Sequence, residues 1–256
     1  MKIIAIGDLH GRPYDKYLTN IEKYDKIIFL GDYVDSFYLS DVEIIDNLKK
    51  LIQFKKDNLN KVELLIGNHD FQYMGYLRQS DHCSGFRYSY SAELYKIFND
   101  NKELFKVAYQ YKNTLFTHAG LTADYFQQLS WSNLKNIINF EISKDNTYAD
   151  ILNKIFIVNP YSLWSIGYAR GGFSFGSCLW ADMTEFLSNI NGKYTSKLAS
   201  HHLLENLSCI QGHQPVIEVI KLEDNNRQYI WCDCDSYETT EGELLSKDKA
   251  YVELDI

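Results

Sequence analysis

The chain has 256 residues, a formal net charge of −8 and a hydrophobic content of 45%. This length is at the upper end for one domain, and the acidic balance excludes binding to nucleic acid or anionic membranes through a basic surface. The five cysteines are odd in number and fit no zinc-site spacing, so we expect reduced thiols. The chain shows neither a signal peptide nor an apolar run of membrane-spanning length, and we therefore expect a cytoplasmic protein.

Three apolar segments in the first quarter of the chain end in the same way. Residues 2–6, 26–30 and 61–66 have the composition of buried strands. Each is followed by a glycine and then by a polar side chain, which is Asp8, Asp32 or Asn68. Glycine permits a sharp turn, and ligands of open α/β sheets collect at the carboxyl ends of the strands. These three strand ends are therefore predicted to share a site.

Amphipathic segments separate the predicted strands. Residues 14–24 have apolar side chains at helical spacing, and Asp41 is predicted to be the N-cap of the following helix. This alternation predicts a parallel sheet with right-handed connections. Ser91 and Thr122 are predicted to cap two later helices, with a strand at residues 113–117 between them.

The second half of the chain has weaker signals. Helical patterns near residues 149–157 and 195–206 flank a segment rich in glycine, serine and aromatic residues. We interpret residues 130–206 as a mostly helical insertion or lid within one domain that spans residues 1–256, because no proline- or glycine-rich linker isolates it. Further strands are predicted at residues 216–222, 228–232 and 250–254.

Six side chains at or near the predicted strand ends have oxygen or imidazole donors, and none has a thiolate. They are Asp8, His10, Asp32, Asn68, His118 and His213. This set suits Mn²⁺, Fe or Zn²⁺, and suits Mg²⁺ less well because it contains histidines. One carboxylate can bridge two cations roughly 3.5–4 Å apart, as two-metal hydrolases require. Asp32, on the middle strand, is the candidate for that bridge.

Five motifs carry these donors in a fixed order along the chain. They are GDLHG at 7–11, GDYVD at 31–35, GNHD at 67–70, THAG at 117–120 and GH at 212–213. The series resembles the calcineurin-like metallophosphoesterases, and most closely the branch that holds phosphoprotein phosphatases and symmetrical dinucleoside tetraphosphatases. The resemblance is strong over residues 1–70 and local elsewhere. It implies an α/β fold with a four-layer αββα sandwich, two divalent metal ions, and phosphoester hydrolysis by a metal-bridging hydroxide.

The resemblance also implies roles for the matched residues. The first metal is expected at Asp8 and His10, the second at Asn68, His118 and His213, with Asp32 between them. His69 resembles the general acid of the family, and Asp35 resembles the carboxylate that orients this histidine. A carboxylate on one ring nitrogen fixes the tautomer and keeps a proton available at the other nitrogen.

Two positions depart from the family pattern. Ser36 stands where an arginine is common, and Ile66 where phosphoprotein phosphatases often have another. Arginine binds phosphate through two parallel hydrogen bonds, which serine cannot replace. Arg170 precedes a Leu-Trp-x-Asp segment at 179–182 that resembles one following a phosphate-binding arginine in phosphoprotein phosphatases. Arg170 is therefore a candidate phosphate ligand, and Arg12, beside the first motif, is the second candidate.

Three functions remain open from the sequence. The leading one is hydrolysis of phosphomonoesters, including phosphoserine or phosphothreonine in proteins. The second is a dinucleoside polyphosphate or nucleotide pyrophosphohydrolase, since GNHD and HAG fit that branch equally well. The third is an inactive metal-binding interaction module. It remains open because Ser36 stands where the family commonly has an arginine. Outside the motifs, His201 and His202 are expected to be structural, and Asp233 and Asp235 to support the fold.

Overall fold

The computed structural model describes residues 1–233 and 250–256. The strands are β1 (Lys2–Ile6), β2 (Lys26–Phe29), β3 (Val62–Leu65), β4 (Phe105–Lys106), β5 (Ala108–Tyr111), β6 (Thr114–Thr117), β7 (Leu187–Ile190), β8 (Lys193–Leu198), β9 (Ser208–Pro215), β10 (Ile220–Asp224), β11 (Arg227–Asp233) and β12 (Tyr251–Asp255). The α-helices are α1 (Asp41–Asp57), α2 (Asn68–Phe71), α3 (Ser91–Asp100), α4 (Ala123–Trp131) and α5 (Tyr148–Val158).

Two five-stranded sheets contain most of these strands. The first has the order β12-β1-β2-β3-β4, in which β1 to β4 are parallel and β12 is an antiparallel edge. The second has the order β10-β11-β9-β6-β5, which is parallel at its centre and antiparallel at both edges. The parallel sheet predicted from the first three strands is confirmed.

The two sheets face each other across an apolar core. Ile3 and Ala5 of β1 lie in this core with Phe116 of β6 and Ile210 of β9. The intervening residues of β1 lie in a second core on the outer face of the first sheet. Helix α1 contacts β3, and helix α5 contacts β5. Since β1 and β2 are buried on both faces, they appear in the sequence as continuous apolar runs. The predicted four-layer αββα sandwich is confirmed.

The start of α1 corrects one predicted cap. Ser40 is the N-cap: its Oγ accepts a hydrogen bond from Glu43 N at 3.3 Å, and Glu43 Oε2 accepts from Ser40 N at 2.9 Å. This reciprocal pair is a capping box. The prediction of Asp41 as the cap was wrong by one residue, and Asp41 instead forms an ion pair with Arg87.

Of the predicted N-caps of two later helices, one is wrong and the other is confirmed. The N-cap of α3 is Tyr90, which makes no side-chain cap bond, and the predicted cap Ser91 donates its hydroxyl to Tyr88 O instead. The predicted cap of α4 is confirmed, because Thr122 Oγ1 accepts from Tyr125 N at 3.2 Å. The predicted helix near residues 149–157 is also confirmed, as α5.

Two helix predictions were wrong. Residues 14–24 form two 3₁₀ turns instead, separated by Asn20, whose extended backbone and side-chain bond to Glu22 N start the second turn. Residues 195–206 hold the end of β8 and a 3₁₀ turn. The missed signal was Asn191-Gly192, both with positive φ, which forms the two-residue turn between β7 and β8.

Two further observations concern membrane-spanning helices and the state of the cysteines. Among the described residues, no helix combines the length and apolar composition needed to cross a membrane. Cys83, Cys178, Cys209 and Cys232 are free thiols, and Cys234 lies outside the described residues.

Candidate metal centre

The six predicted donors converge at the carboxyl ends of the parallel strands. Two groups of three could each hold a metal ion: Asp8, His10 and Asp32, and Asp32, His118 and His213. Within each group the donor atoms lie no more than 4.8 Å apart. Asn68 adjoins the second group, since its Oδ1 is 2.9 Å from His118 Nε2 and 3.1 Å from His213 Nδ1. Asp32 is the residue that both groups share.

Glycines let the donors approach the neighbouring backbone. A Cβ on Gly67 would lie 2.1 Å from Asp32 Oδ1, and a Cβ on Gly212 would lie 2.1 Å from Asp8 Oδ1. Neither contact is possible for a residue with a side chain, since real Cβ contacts are about 1 Å longer or more. At these two positions the glycine therefore makes room for a carboxylate, whereas the sequence suggested only a need for a sharp turn.

Three donors have a left-handed backbone conformation: φ is 44° at His10, 52° at Asp32 and 61° at His213. Non-glycine residues in this region are strained by about 1–3 kcal/mol each and persist where neighbouring contacts hold them. The Asp32 carbonyl accepts hydrogen bonds from the backbone N of Leu9 and of His10, and Asp32 Oδ1 accepts from His69 N at 2.9 Å. These bonds tie the first three strand-end loops together.

Backbone carbonyls orient two of the imidazoles. His10 Nδ1 donates to Val34 O at 3.0 Å, and His118 Nδ1 donates to Leu30 O at 3.0 Å. With the proton on Nδ1, the Nε2 of each ring carries a lone pair. His118 Nε2 faces Asn68 Oδ1, and His10 Nε2 lies between two carboxylates. The hydrogen bond to the second nitrogen is the arrangement usual for a metal-binding histidine.

The donor atoms fit a cation better than they fit one another. His118 Nε2 and Asn68 Oδ1 both carry lone pairs and lie 2.9 Å apart. This contact is repulsive unless a positive charge lies near both atoms. Burial lowers the pKa of His118 and lowers the pKa of His213 well below its usual value, which favours the neutral form of both rings. Neutral imidazole is the metal-binding form, so the residues present fit a divalent metal ion.

The carboxylates add negative charge at this position. Burial raises the pKa of Asp8 well above its usual value, and the nearby carboxylates of Asp233 and Asp32 raise it further. Burial also acts to raise the pKa of Asp32, but the histidines around it, His118 first, outweigh burial and lower it. No lysine is among the described residues that line the site. The arginines Arg12 and Arg170 line the cavity, and a bound cation would add positive charge beside the carboxylates themselves.

His69 and Asp35 form a pair beside the donor groups. His69 Nδ1 donates to Asp35 Oδ2 at 2.9 Å, and Asp35 also accepts from Gln72 Nε2 and from the Tyr73 hydroxyl. Burial acts to lower the pKa of His69, but the carboxylates of Asp32 and Asp35 outweigh it and raise this pKa well above its usual value. The geometry brings His69 and Asp35 together, as the family resemblance implies.

Three residues of this environment were missed from the sequence. Gln72 and Tyr73 follow His69 by three and four residues, and this helical spacing is a signal that could have found them. Cys83 Sγ lies 3.9 Å from His69 Nδ1 and 3.3 Å from Gln72 Oε1. It belongs to an irregular segment that gave no pattern to read.

Five of the six donors, all except His118, line a cavity of about 270 Å³ together with His69 and Asp35, and both candidate arginines line it too. Arg170 Nε forms an ion pair with Asp182 Oδ2 at 2.8 Å, and its Nη2 donates to Gln214 Oε1 at 2.8 Å. Arg12 Nη1 donates to Leu9 O at 3.1 Å. Both guanidinium groups are thus held at the cavity.

Ser36 has a structural task in the turn that follows Asp35. Its Oγ accepts hydrogen bonds from Tyr38 N at 3.2 Å and from Leu39 N at 3.1 Å. Arg87 donates to the Ser36 carbonyl and pairs with Asp41. Ser36 therefore shapes the loop at the cavity mouth.

The remaining candidate residues lie in different places. His202 contacts Asp124 through Nδ1, and neither His201 nor His202 lines the cavity. Asp233 is buried and lines the cavity near Asp8, and its carbonyl accepts from Val216 N. Asp235 lies outside the described residues.

The αββα layers and a carboxylate shared by two donor groups at the strand ends are typical of a two-metal hydrolase. A family model described as calcineurin-like phosphoesterase matches residues 1–232. The chain belongs to this family of metal-dependent phosphoric ester hydrolases, and the family predicted from the motifs is confirmed.

Similarity to individual proteins is lower. The chain is 26% identical over 229 residues to a Schizosaccharomyces pombe protein named "Putative serine/threonine-protein phosphatase", with 84% of this chain and 66% of that protein covered. The chain thus spans just under two thirds of that relative. A crystal structure of a mutant cold-active protein tyrosine phosphatase aligns with a TM-score of 0.51 at 18% identity, covering 91% of this chain and 71% of the other. That likeness supports the fold.

Proposed function

We propose that the chain hydrolyses phosphomonoesters with the help of two divalent metal ions. The observation that carries this proposal is the Asp32 carboxylate, which belongs to both candidate metal groups. The first ion would be held by Asp8, His10 and Asp32, and the second by Asp32, Asn68, His118 and His213. When bound, such a pair lowers the pKa of a water and binds phosphoryl oxygens. Mn²⁺ is the metal we propose first, on the mixture of carboxylate and imidazole donors.

The other cavity residues would act on the substrate. Asp35 holds the Nδ1 proton of His69, so Nε2 is the nitrogen from which a proton can pass to the leaving oxygen. Arg170 is held by Asp182 and Gln214 at the cavity and would bind phosphoryl oxygens, with Arg12 as the second such group. We also propose that residues 130–206 are an insertion that brings Arg170 to the site.

A phosphomonoester fits this cavity better than a dinucleoside polyphosphate. The volume of about 270 Å³ is just below the range of small-molecule sites, which is roughly 300–1,000 Å³. Two arginines and no lysine are among its described lining residues, which suits one phosphoryl group better than a chain of four. Phosphoserine or phosphothreonine in proteins is supported by the name of the yeast relative. We place the protein in the cytoplasm, where its free thiols would stay reduced.

The test uses metal-depleted protein reconstituted with Mn²⁺. We expect about two bound equivalents and hydrolysis of p-nitrophenyl phosphate that depends on them. In a competition panel, a phosphoserine peptide should be hydrolysed faster than diadenosine tetraphosphate. Faster cleavage of the dinucleotide would favour the pyrophosphohydrolase. Two bound metals without hydrolysis of any of these compounds would favour the inactive interaction module.

A further inference from the structure

We propose that Phe37, at the mouth of the cavity, stacks on the aromatic leaving group of aryl phosphomonoesters and so favours them over alkyl ones. This inference rests on the proposed function, because the leaving group is defined by phosphomonoester hydrolysis. Phe37 and Tyr38 line the same cavity as His69, and their side chains are 74% and 51% exposed. Two adjacent aromatic residues left in water at a site mark a surface that a ligand covers.

The loop that carries these rings is held in place. Ser36 Oγ accepts from the backbone N of Tyr38 and of Leu39, which closes the turn around Phe37. Arg87 donates to the carbonyls of Ser36 and Leu39 from outside the cavity. A ring on a loop with these bonds is positioned before the ligand arrives, which reduces the ordering cost of binding.

Phe37 lies on the side of the cavity where the leaving group would depart. Gly85 packs against this side: a Cβ placed there would lie 3.7 Å from Phe37 Cζ and 3.9 Å from His69 Cε1. The tip of the Phe37 ring and the His69 imidazole therefore border the same small space. Because His69 would protonate the leaving oxygen, the group attached to that oxygen would lie beside Phe37.

The charge distribution agrees with an uncharged aromatic group. The cavity-lining residues that directly follow Asp35 are the uncharged Ser36, Phe37 and Tyr38, and the uncharged Cys83 lies 3.9 Å from His69 Nδ1. Arg170 is bound to Gln214, the neighbour of the metal-ligand candidate His213, and so lies toward the second donor group. An anionic leaving group would meet the Asp35 carboxylate beside His69, whereas a phenyl ring would meet another ring.

The first experiment measures inhibition of the Mn²⁺-loaded enzyme by phenylphosphonate and by methylphosphonate. Neither compound has an ester bond to hydrolyse, so leaving-group acidity plays no part in the comparison. We expect Phe37→Leu, which keeps an apolar side chain, to reduce the preference for phenylphosphonate over methylphosphonate by about three- to tenfold. Phe173→Leu is the matched control, because Phe173 is 94% exposed and does not line the cavity.

The second experiment compares kcat/KM for phosphotyrosine and phosphoserine placed in the same peptide. The phosphotyrosine-to-phosphoserine ratio should fall in Phe37→Leu by the same factor and stay unchanged in Phe173→Leu. If wild type hydrolyses both peptides and Phe37→Leu leaves both ratios unaltered, aryl stacking is overturned and the proposed function stands. If metal-loaded wild type hydrolyses no monoester, the proposed function and this inference fail together.

Discussion

Buried carboxylates occupy two regions of the first sheet, and their neighbours differ. Glu63, in the middle of β3, has three ammonium groups around it: Lys26 Nζ at 2.7 Å, Lys106 Nζ at 3.1 Å and Lys55 Nζ at 3.7 Å. At the strand ends, Asp8 and Asp32 have imidazoles around them, and the described residues that line their cavity include two arginines, Arg12 and Arg170, and no lysine. Lysines contact the carboxylate of the first region directly, whereas imidazoles surround the carboxylates of the second.

The pKa values follow from this difference. Burial acts to raise the pKa of Glu63, but the three lysines, Lys26 first, outweigh it and lower the pKa. At Asp8 burial and neighbouring carboxylates act together, and the pKa is raised well above its usual value. A buried acidic cluster flanked by imidazoles is thus a candidate for metal binding, whereas one balanced directly by lysines is a structural network.

The largest expected effect comes from removing the shared carboxylate. Asp32→Ala should lose both metal ions and reduce phosphatase activity to that of the metal-free protein, because Asp32 belongs to both donor groups. Metal content by mass spectrometry and hydrolysis of p-nitrophenyl phosphate measure the two effects. Asp124→Asn is the control, because Asp124 pairs with His202 and is not among the residues that line the cavity. Tight retention of one metal in Asp32→Ala would remove Asp32 from the bridging role.

The next effect separates metal binding from proton transfer. His69→Asn should keep both metals and lower kcat on an alkyl phosphate by about 10²–10⁴-fold, the usual contribution of general acid catalysis. The loss on p-nitrophenyl phosphate should be much smaller, since nitrophenolate departs without a proton. His201→Asn is the control, because His201 does not line the cavity. Equal losses on both substrates would make His69 a positioning residue instead.

The next prediction concerns the region in which three lysines surround Glu63. Glu63→Gln leaves buried lysine charge uncompensated and should lower the free energy of unfolding at pH 7 by about 2–3 kcal/mol. Because the folded-state pKa of Glu63 is lowered, its stabilisation is present above the unfolded pKa of about 4.3 and is lost as the pH falls through the folded pKa. The difference from wild type in urea denaturation should therefore shrink below about pH 4.

A matched control exists for this stability measurement. Glu93 pairs with Lys49 at 2.9 Å on the surface, so Glu93→Gln should change the free energy of unfolding by less than about 1 kcal/mol. If the two glutamate variants were equally stable at pH 7, the distinction between the two carboxylate regions would lose its energetic basis.

The smallest expected effect concerns the cavity rim. Arg170→Ala should weaken transition-state binding by about 1.5–3 kcal/mol, which is the contribution of a hydrogen bond to a charged group. The loss is measured as a lower kcat/KM for p-nitrophenyl phosphate. Arg78→Ala, at an exposed position away from the cavity, should leave kcat/KM unchanged. An unchanged kcat/KM in folded Arg170→Ala would transfer phosphate binding to Arg12.

Local sequence patterns were enough to predict that the candidate metal donors lie together at the carboxyl ends of the strands. The strands before Asp8 and Asp32 are continuous apolar runs, because both faces of the first sheet are buried, and the strand before Asn68 is interrupted by Glu63. Parallel strands bring their carboxyl ends to one edge, so ligands far apart in the chain could be placed together. The hairpin turn at Asn191-Gly192 was equally readable, and was missed because helical spacing was given more weight.

Other features depended on contacts that no local pattern contains. Gly67 and Gly212 are needed because carboxylates from distant loops pack against them, and the sequence shows the glycines without their neighbours. The partners of Asp35 and the exposure of Phe37 likewise arise only when separate segments pack together. Sequence by itself determined the family through its ordered motifs, the layers that this resemblance implies, and the candidate donor set through residue chemistry. Tertiary structure alone decided which buried charges are balanced, because that balance depends on side chains brought together from different strands.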